Sequence, residues 1–460
     1  MSMATLTPES RQVLADTFGG ELTGPGDTRY DEVRRCHNGL IDRQPALFAA
    51  CRGAADVVAA VRFARAEGLE LAVRGGGHSI AGLSLINGGL VIDLSLMRGV
   101  DVDPQSRTAR VQGGALWSDV NREAHLHGLA VTGGAISSTG VGGYTLGGGL
   151  GWLMGACGLA VDNLIEAEVV LASGEVVRAS ADANEDLFWA LRGGGGNFGV
   201  VTSFVFRLHP IAEVVGGLIA HPLDAAGDLL RFYRSFTAEV PDELEVFAGM
   251  VHAPDGSGLP LSALVVCHAG PRERAEEEVR PLLEWGSPLM SEVGPIPYPV
   301  INTLLDDNYP RGALAYWKST FVSSLDDDLI DTVVERFASC PTPMGALVFE
   351  HFHGAVSRVD PEATAVPHRA TSYNLHIPTV WLDPADTEAN VAWTRETFEA
   401  VGPFRSAGRW LNYYSDDEPA DALESAYGRN GRRLAEAKRR YDPDNVFHCN
   451  HNILPATVSV

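Results

Sequence analysis

Residues 74–79 place three glycines and a histidine in a spacing that can hold an anion with an imidazole beside it. The segment consists of Arg74, Gly75, Gly76, Gly77, His78 and Ser79. Consecutive glycines permit positive φ, so their N–H groups can converge on a pyrophosphate, to which Arg74 or Ser79 can add a donor. The alternative is an ordinary tight turn, since neither a Walker loop nor a GxGxxG fingerprint opening a helix is present. Inside such a turn, His78 is expected to be a ligand or a catalyst.

Two further glycine-rich segments follow in the same half of the chain. Residues 133–151 read GGAISSTGVGGYTLGGGLG, and residues 192–199 read RGGGGNFG. Each glycine weakens a helix or strand by roughly 0.5–1 kcal/mol relative to alanine, so this density favours backbone that lies against a large flat ligand. The three segments together predict one extended cofactor with phosphates and a planar ring.

These segments resemble a known family over nearly the whole chain. The matching stretches are RGGGHS, GGLVIDLS, TGVGGYTLGGGLGWL, GLAVDN, DLFWALRGGGGNFGVVTSF and the ending YDPDNVF…NHNI. They are similar to the berberine bridge enzyme-like oxidases of the vanillyl-alcohol oxidase / p-cresol methylhydroxylase (PCMH) flavoprotein superfamily. The resemblance implies an α+β fold with a PCMH-type FAD-binding domain over residues 1–208. It also implies a substrate domain over residues 209–408, built on an antiparallel sheet covered by helices. A C-terminal segment, residues 409–460, then returns to the FAD domain.

The resemblance also implies FAD, attached covalently through His78 only. Relatives with a second flavin bond form it from a cysteine where this chain has Ile136, and Cys157, further along, is the less favoured alternative. Thr139 falls at the family's oxygen-access position, or else bonds its own backbone. Tyr144 and Trp152 either border the ring or only pack. Cofactor contacts are expected at Arg74, Gly75, Gly76, Gly77, Ser79, Gly134, Thr139, Gly140, Gly142, Gly143, Gly147, Gly148, Gly151, Asn163, Val201, Asn450 and Asn452.

Flavin oxidation of an alcohol or amine needs a hydride acceptor and a base. Tyr413, in a WLNY segment that resembles the family's YxNY strand, is the leading candidate base, with Tyr414 on the opposite face. His376 ends a segment similar to the family's HRxGxxYxIQ strand, and is either a base near its usual pKa of about 6.5 or a hydrogen-bonding group. Glu350, in FEHFH, is expected to line the substrate pocket. Strand alternation turns it away from the two neighbouring histidines, so no metal site is predicted.

The leading hypothesis is an FAD-dependent oxidase acting on an alcohol or amine carbon of a carbohydrate or secondary metabolite. Hydride passes to the flavin N5, and O₂ is reduced to H₂O₂. An oxygenase or dehydrogenase that tailors a natural product is the alternative, since residues 138–140 also resemble a flavin-dependent polyketide oxygenase. A third hypothesis, a flavin-binding protein without catalysis, is disfavoured by Tyr413 and His376. The motifs leave the substrate open because side chains of the second domain select it.

The elements that must position these residues follow from apolar patterning. Residues 47–67 have helical spacing and end at Gly68, and a short strand at 71–73 leads directly into the first glycine segment. Residues 166–171 and 175–178 flank a Ser-Gly turn that predicts a hairpin, and residues 200–206 alternate as a strand. Glycine then becomes sparse, which places a domain boundary near residues 207–213.

Composition limits the partners. The net charge of −24 repels nucleic-acid phosphates and anionic lipid, so neither is an expected partner. The family resemblance implies a small-molecule substrate and O₂ as partners, and a homodimer is left open. No segment approaches the ~18 apolar residues of a membrane span, and the N-terminus lacks a signal-peptide pattern, so cytoplasmic residence is expected. The six cysteines are scattered without a CxxC pair and fit neither a zinc site nor a disulfide framework.

Overall fold

The protein is represented by a computed structural model that describes residues 6–457 except 254, 371 and 420. Within these residues the strands form three sheets, of four, five and seven strands. The strands are β1 Glu21–Thr23, β2 Leu47–Ala50, β3 Leu71–Arg74, β4 Leu90–Asp93, β5 Val100–Asp103, β6 Thr108–Gln112, β7 Leu164–Val170, β8 Val176–Ser180, β9 Val200–Arg207, β10 Glu213–Pro222, β11 Leu244–His252, β12 Pro260–His268, β13 Met290–Pro297, β14 Leu314–Val322, β15 Leu347–Phe352 and β16 Ser372–Trp381.

The helices lie between these strands and after the last one. They are α1 Pro8–Ala15, α2 Tyr30–Val33, α3 Ala54–Glu67, α4 Trp117–His125, α5 Val141–Leu146, α6 Met154–Cys157, α7 Glu185–Leu191, α8 Ala226–Thr237, α9 Arg272–Glu284, α10 Tyr298–Ile301, α11 Asp327–Ala338, α12 Ala355–Arg358, α13 Thr387–Ala400, α14 Ala422–Tyr427 and α15 Gly431–Tyr441. Short 3₁₀ turns lie at Ala160–Asn163, Leu223–Ala225, Asp306–Asn308, Pro384–Asp386, Gly402–Phe404, Leu411–Tyr413 and Gly428–Asn430. None of these described helices is long and apolar enough to cross a membrane.

The four-stranded sheet positions the first glycine segment. Its order is β1-β2-β4-β3, and β2, β4 and β3 run parallel to one another. α3 packs against the sheet through buried Val57 and Val61, and Gly68 caps this helix with φ 65°, where the sequence predicts its end. Because β3 ends at Arg74, the glycine segment leaves the carboxyl end of a parallel strand, where α/β sheets place their ligands.

Residues 47–67 do not form one helix, so that prediction is wrong in its first part. Leu47–Ala50 are the strand β2, which pairs with β1 and β4, and the helix begins only at Ala54. Leu47 and Phe48 are fully buried. A short apolar run fits a buried strand as well as a buried helix, and periodicity alone does not separate the two.

The five-stranded sheet supports the second and third glycine segments. It is antiparallel, in the order β5-β6-β9-β7-β8. The predicted hairpin is present as β7 and β8, and β9 covers the strand predicted at residues 200–206. α5 lies within the second glycine segment, and α7 leads directly into the third. Both segments are therefore held at the ends of regular elements.

The seven-stranded sheet forms the opposite wall. It is antiparallel throughout, in the order β13-β10-β12-β11-β15-β16-β14. Successive residues of a strand face opposite sides, so Val246 and Leu375 pack with α8, α9, α11 and α13, whereas Phe247 and Glu350 face the glycine segments. The α+β class, with an antiparallel sheet covered by helices, is confirmed.

The C-terminal segment contacts both halves of the chain. The Asn197 carbonyl in the third glycine segment accepts a hydrogen bond from the Lys438 ammonium at 2.7 Å, and the Asn197 side-chain oxygen accepts one from the Ile453 N–H at 2.9 Å. Nearer the start of this segment, the Tyr413 hydroxyl donates a hydrogen bond to Glu350 on β15 at 2.8 Å. The domain limits at residues 208 and 408 stay predictions, although the sheets themselves divide between residues 207 and 213.

Candidate active site

A cavity separates the glycine segments from the seven-stranded sheet, and most of the predicted site residues line it. The glycine segments, the sheet and the C-terminal segment each contribute to its wall. The predicted residues on the wall are Gly75, Gly76, Gly77, His78, Ser79, Gly134, Thr139, Gly140, Gly142, Gly143, Gly147, Val201, Asn450, Glu350, His376 and Tyr413. Gly113, Gly195, Gly196, Gly199 and His451 also line it; of these, Gly113 is outside every sequence motif used above.

The expectation that the Arg74 side chain contacts the cofactor is corrected, because this side chain is bonded to other residues of the fold. Its guanidinium pairs with Asp93, with Nε–Oδ1 at 3.1 Å and Nη2–Oδ2 at 2.5 Å, and it also donates to the Val33 carbonyl. Both Arg74 and Asp93 are buried. The guanidinium is therefore not directed at the cavity, and an anion there would meet backbone N–H groups instead.

Four other expected cofactor contacts also lie off the cavity wall. Asn163 is buried and donates to the carbonyls of Cys157 and Leu159, both at 2.9 Å. A Cβ at Gly148 would meet the Trp410 ring at 2.7 Å, and one at Gly151 would meet the Gly133 carbonyl oxygen at 1.9 Å. Asn452 is likewise outside the lining set. For Asn163, Gly148 and Gly151, packing within the protein explains the residue type.

Some glycines on the cavity wall pack directly on protein backbone, and others face open space. A Cβ at Gly76 would lie 2.5 Å from the Gly140 Cα, and a Cβ at Gly140 would lie 2.3 Å from the Gly76 nitrogen, so these backbones pack directly on each other. At Gly143 and Gly196, a Cβ would meet no atom within 4 Å. Contacts among the described residues do not require glycine at these two positions. A flat ligand approaching the backbone would require it, so the site fits the expected FAD.

His78 lies on the wall with one ring nitrogen engaged. Its Nε2 is 2.9 Å from the Ser138 hydroxyl, and its ring stacks on His37 with centroids 3.6 Å apart. Burial, helped by the nearby His37 and Arg311, lowers the pKa of His78 to about 3. The imidazole is therefore neutral at neutral pH and keeps a lone pair on one nitrogen, as a nucleophile requires.

Glu350 is the centre of a buried polar cluster on the sheet side of the cavity. Its Oε1 accepts from the Tyr413 hydroxyl at 2.8 Å, and its Oε2 accepts from the Asn374 amide at 2.6 Å. Burial raises the pKa of Glu350 to about 7, although both hydrogen bonds oppose this shift. A carboxyl with such a pKa can accept and release a proton near neutral pH.

His376 and Tyr413 form a stacked pair beside Glu350. Their ring centroids are 3.9 Å apart with planes inclined by 2°, and Trp317 stands edge-on to both. Burial lowers the pKa of His376 to about 3, which corrects the expectation of a base near its usual pKa. Burial and the nearby Glu350 charge raise the pKa of Tyr413 well above its usual range, so this hydroxyl is protonated. Glu350 is therefore the member of the cluster that titrates near pH 7.

The segment that presents Tyr413 is a 3₁₀ turn at Leu411–Tyr413, so the predicted strand is wrong. It is fixed by bonds to its surroundings: the Asn412 amide donates to the Tyr144 carbonyl at 3.1 Å. Tyr414 also borders the cavity, but its hydroxyl donates to the Ala422 carbonyl at 2.9 Å. The Tyr413 side chain is therefore oriented by contacts to neighbouring segments and not by strand pairing.

The remaining candidate cofactor neighbours differ in whether they line the cavity. Tyr144 and Ile136 line the cavity, whereas Trp152 packs on Phe247 with centroids 4.7 Å apart. Cys157 does not line the cavity, and burial raises the pKa of its thiol to about 12, which makes it unreactive. Within the described part of the chain, no cluster of three His, Cys, Asp or Glu side chains could hold a metal ion.

Sequence reasoning missed Trp317, Tyr309 and Asn374, which complete the sheet side of the site. Trp317 and Tyr309 line the cavity, and Asn374 holds Glu350. Only Trp317 carried a usable signal, as an aromatic residue on an alternating strand between Ala315 and Ser319.

Comparisons with known proteins show what the chain as a whole is similar to. The FAD binding domain family matches residues 45–180, and the berberine and berberine-like family matches residues 409–454. The chain is 30% identical over 447 residues to an FAD-linked oxidoreductase of Dictyostelium discoideum, covering 96% of each chain. It is 30% identical over 469 residues to (R)-6-hydroxynicotine oxidase of Paenarthrobacter nicotinovorans, covering 99% of each. The crystal structure of 6-hydroxy-D-nicotine oxidase from Arthrobacter nicotinovorans matches with a TM-score of 0.88 at 28% identity, over 95% of this chain and 98% of that one.

Proposed function

The chain belongs to the berberine bridge enzyme-like FAD-linked oxidoreductases, and we propose that it is an oxidase with FAD attached through His78 alone. It acts on an alcohol or amine carbon of a small molecule and returns the electrons to O₂. The FAD domain comprises residues 1–208 together with the C-terminal segment. The observation that carries this proposal is the buried Glu350–Tyr413 pair, which faces the glycine segments across the cavity.

Each part of the cavity has a role in this function. When bound, FAD would accept a hydride from the substrate carbon and pass two electrons to O₂. Glu350 accepts the proton that leaves the substrate, because its buried carboxyl has a pKa of about 7. Tyr413 stays protonated and orients the carboxyl through its 2.8 Å hydrogen bond. His376 is neutral, and its Nε2, which has no partner among the described residues, is free to bond a substrate hydroxyl or amine.

Attachment at His78 is supported by its neutral imidazole on the cavity wall and by the unreactive, off-wall thiol of Cys157. Acid precipitation of the purified protein tests it directly. The yellow colour should stay with the pellet in the wild type and in Cys157→Ser, and should pass to the supernatant in His78→Ala. Colour in the wild-type supernatant, or a flavin peptide that contains Cys157, would contradict the proposed attachment.

The oxidase activity is tested by oxygen stoichiometry. A substrate that bleaches the flavin under argon should yield one H₂O₂ for each O₂ consumed when air is admitted. Incorporation of oxygen from labelled O₂ into the product would instead identify an oxygenase, and a bleached flavin that air does not reoxidise would identify a dehydrogenase.

A further inference from the structure

The substrate side of the cavity is built mainly from aromatic rings. Trp317 stands edge-on to Tyr309, His376 and Tyr413, with ring centroids 5.6, 5.0 and 5.8 Å away. Phe247 on β11 extends the same wall. Faces of such rings attract cations through their quadrupoles, most strongly when the site is shielded from water.

Charge in this cavity is confined to one group. Among the described residues that line it, Glu350 is the only carboxyl and there is no lysine or arginine. Among the described residues Glu350 takes part in no ion pair, and its two hydrogen-bond donors, Tyr413 and Asn374, are neutral. Glu350 is 4% exposed, so its carboxylate is buried without a counter-ion from the described chain.

From this arrangement we infer that the substrate is an apolar amine whose ammonium group pairs with Glu350 inside the aromatic wall. The inference rests on the proposed oxidase function and names its substrate class. A carboxylate or phosphate substrate would lie beside Glu350 without any cation to compensate it, which is strongly unfavourable in a buried site. A saccharide would bury many hydroxyls against a wall that offers few polar partners, and each unpaired hydroxyl disfavours binding.

The reaction balances with an amine. The ammonium proton passes to the Glu350 carboxylate, which frees the nitrogen lone pair. Hydride then leaves the carbon next to nitrogen, and the lone pair forms the C=N bond of an iminium ion. The two electrons reach O₂ through FAD, as in the proposed function. Reduction of O₂ to H₂O₂ consumes the transferred hydrogen and one further proton, which the Glu350 carboxyl supplies, so the carboxylate is restored.

Calorimetric titration of the FAD-loaded protein with four compounds at pH 8, under argon and with the flavin reduced beforehand by dithionite, tests the inference without depending on turnover. The compounds are 2-phenylpyrrolidine, 1-phenylethanol, 4-(pyrrolidin-2-yl)benzoate and cellobiose. 2-Phenylpyrrolidine should bind tightest, and Glu350→Gln should weaken it about 10- to 100-fold while changing 1-phenylethanol binding less than about threefold. Glu245→Gln, a buried carboxyl in the same sheet that does not line the cavity, should leave both affinities unchanged.

Two results would overturn the substrate class: tighter binding of cellobiose or of the benzoate than of 2-phenylpyrrolidine, or equal amine affinity in wild type and Glu350→Gln. These results are distinct from failure of the proposed oxidase. That failure appears as purified protein without flavin, or as substrate oxidation without H₂O₂, whatever the order of affinities.

Discussion

Replacing Glu350 with glutamine removes the proposed proton acceptor and keeps its shape. The Tyr413 hydroxyl can still donate to the side-chain oxygen at position 350. Asn374 now donates to Glu350, and its Oδ1 has no partner among the described residues, so a turn of this amide lets it accept from the new NH₂ group. The variant should therefore fold, and its defect should be chemical.

The size of the effect follows from the pKa. Burial raises the pKa of Glu350 from 4.5 to about 7, which corresponds to a penalty of about 3 kcal/mol on the ionised form. Because the ionised form accepts the proton, activity rises with pH. With a pKa of about 7, roughly one carboxyl in a hundred is ionised at pH 5 and nearly all at pH 9. The second-order rate constant for flavin reduction should therefore rise about tenfold per pH unit from 5 to 7, then level off.

Anaerobic stopped-flow reduction by 2-phenylpyrrolidine between pH 5 and pH 8.5 measures this constant. Glu350→Gln should be about 10²- to 10⁴-fold slower at pH 7. Because this variant can oxidise only the neutral amine, whose fraction rises about tenfold per pH unit below the amine pKa, its rate constant should keep rising through pH 8.5 without levelling off near pH 7. Glu245→Gln should keep the wild-type profile. The reasoning is refuted if Glu350→Gln levels off near pH 7 as the wild type does, or if the wild type is flat between pH 5 and pH 7.

Three further predictions concern the cavity walls and the core. Gly76→Ala should lower the yield of folded protein, because its Cβ meets backbone, whereas Gly196→Ala should fold normally and carry less flavin per protein by absorbance. Arg74→Leu leaves Asp93 buried and unpaired, so it should lose about 3–5 kcal/mol in urea unfolding while the folded fraction keeps its flavin; loss of flavin alone would contradict this. Burial raises the pKa of Glu245 well above its usual range, so its stabilising contribution is present below pH 4.5 and lost as pH rises. Glu245→Gln should therefore gain stability over the wild type between pH 4.5 and pH 8, and a constant difference would count against it.

The glycine segments could be recognised from sequence because their residue types have few other uses. The strand ending at Arg74, the helix cap at Gly68 and the β7–β8 hairpin followed from local patterns for the same reason. Local patterns do not report three-dimensional partners. The sequence therefore misassigned Arg74, whose partner Asp93 lies on a neighbouring strand.

The chemistry of the polar cluster needed the structure. A histidine on an exposed strand keeps its usual pKa, whereas burial lowers the pKa of His376. The sequence does not show how deeply this residue is buried. The hydrogen bond of Tyr413 to Glu350 joins two segments that are distant in the chain. Trp317 and Tyr309 come from the seven-stranded sheet and the loop before β14, where no motif marks a functional residue.

The C-terminal segment supplies Tyr413 to the polar cluster and Asn450 to the cavity wall near Gly196. Translation delivers these residues to the folding chain after both walls of the cavity have left the ribosome. Until this segment has emerged, the strands of all three sheets are present but the pocket lacks these two side chains. Flavin loading should consequently follow emergence of this segment, and ribosome-bound chains held before Tyr413 should stay colourless.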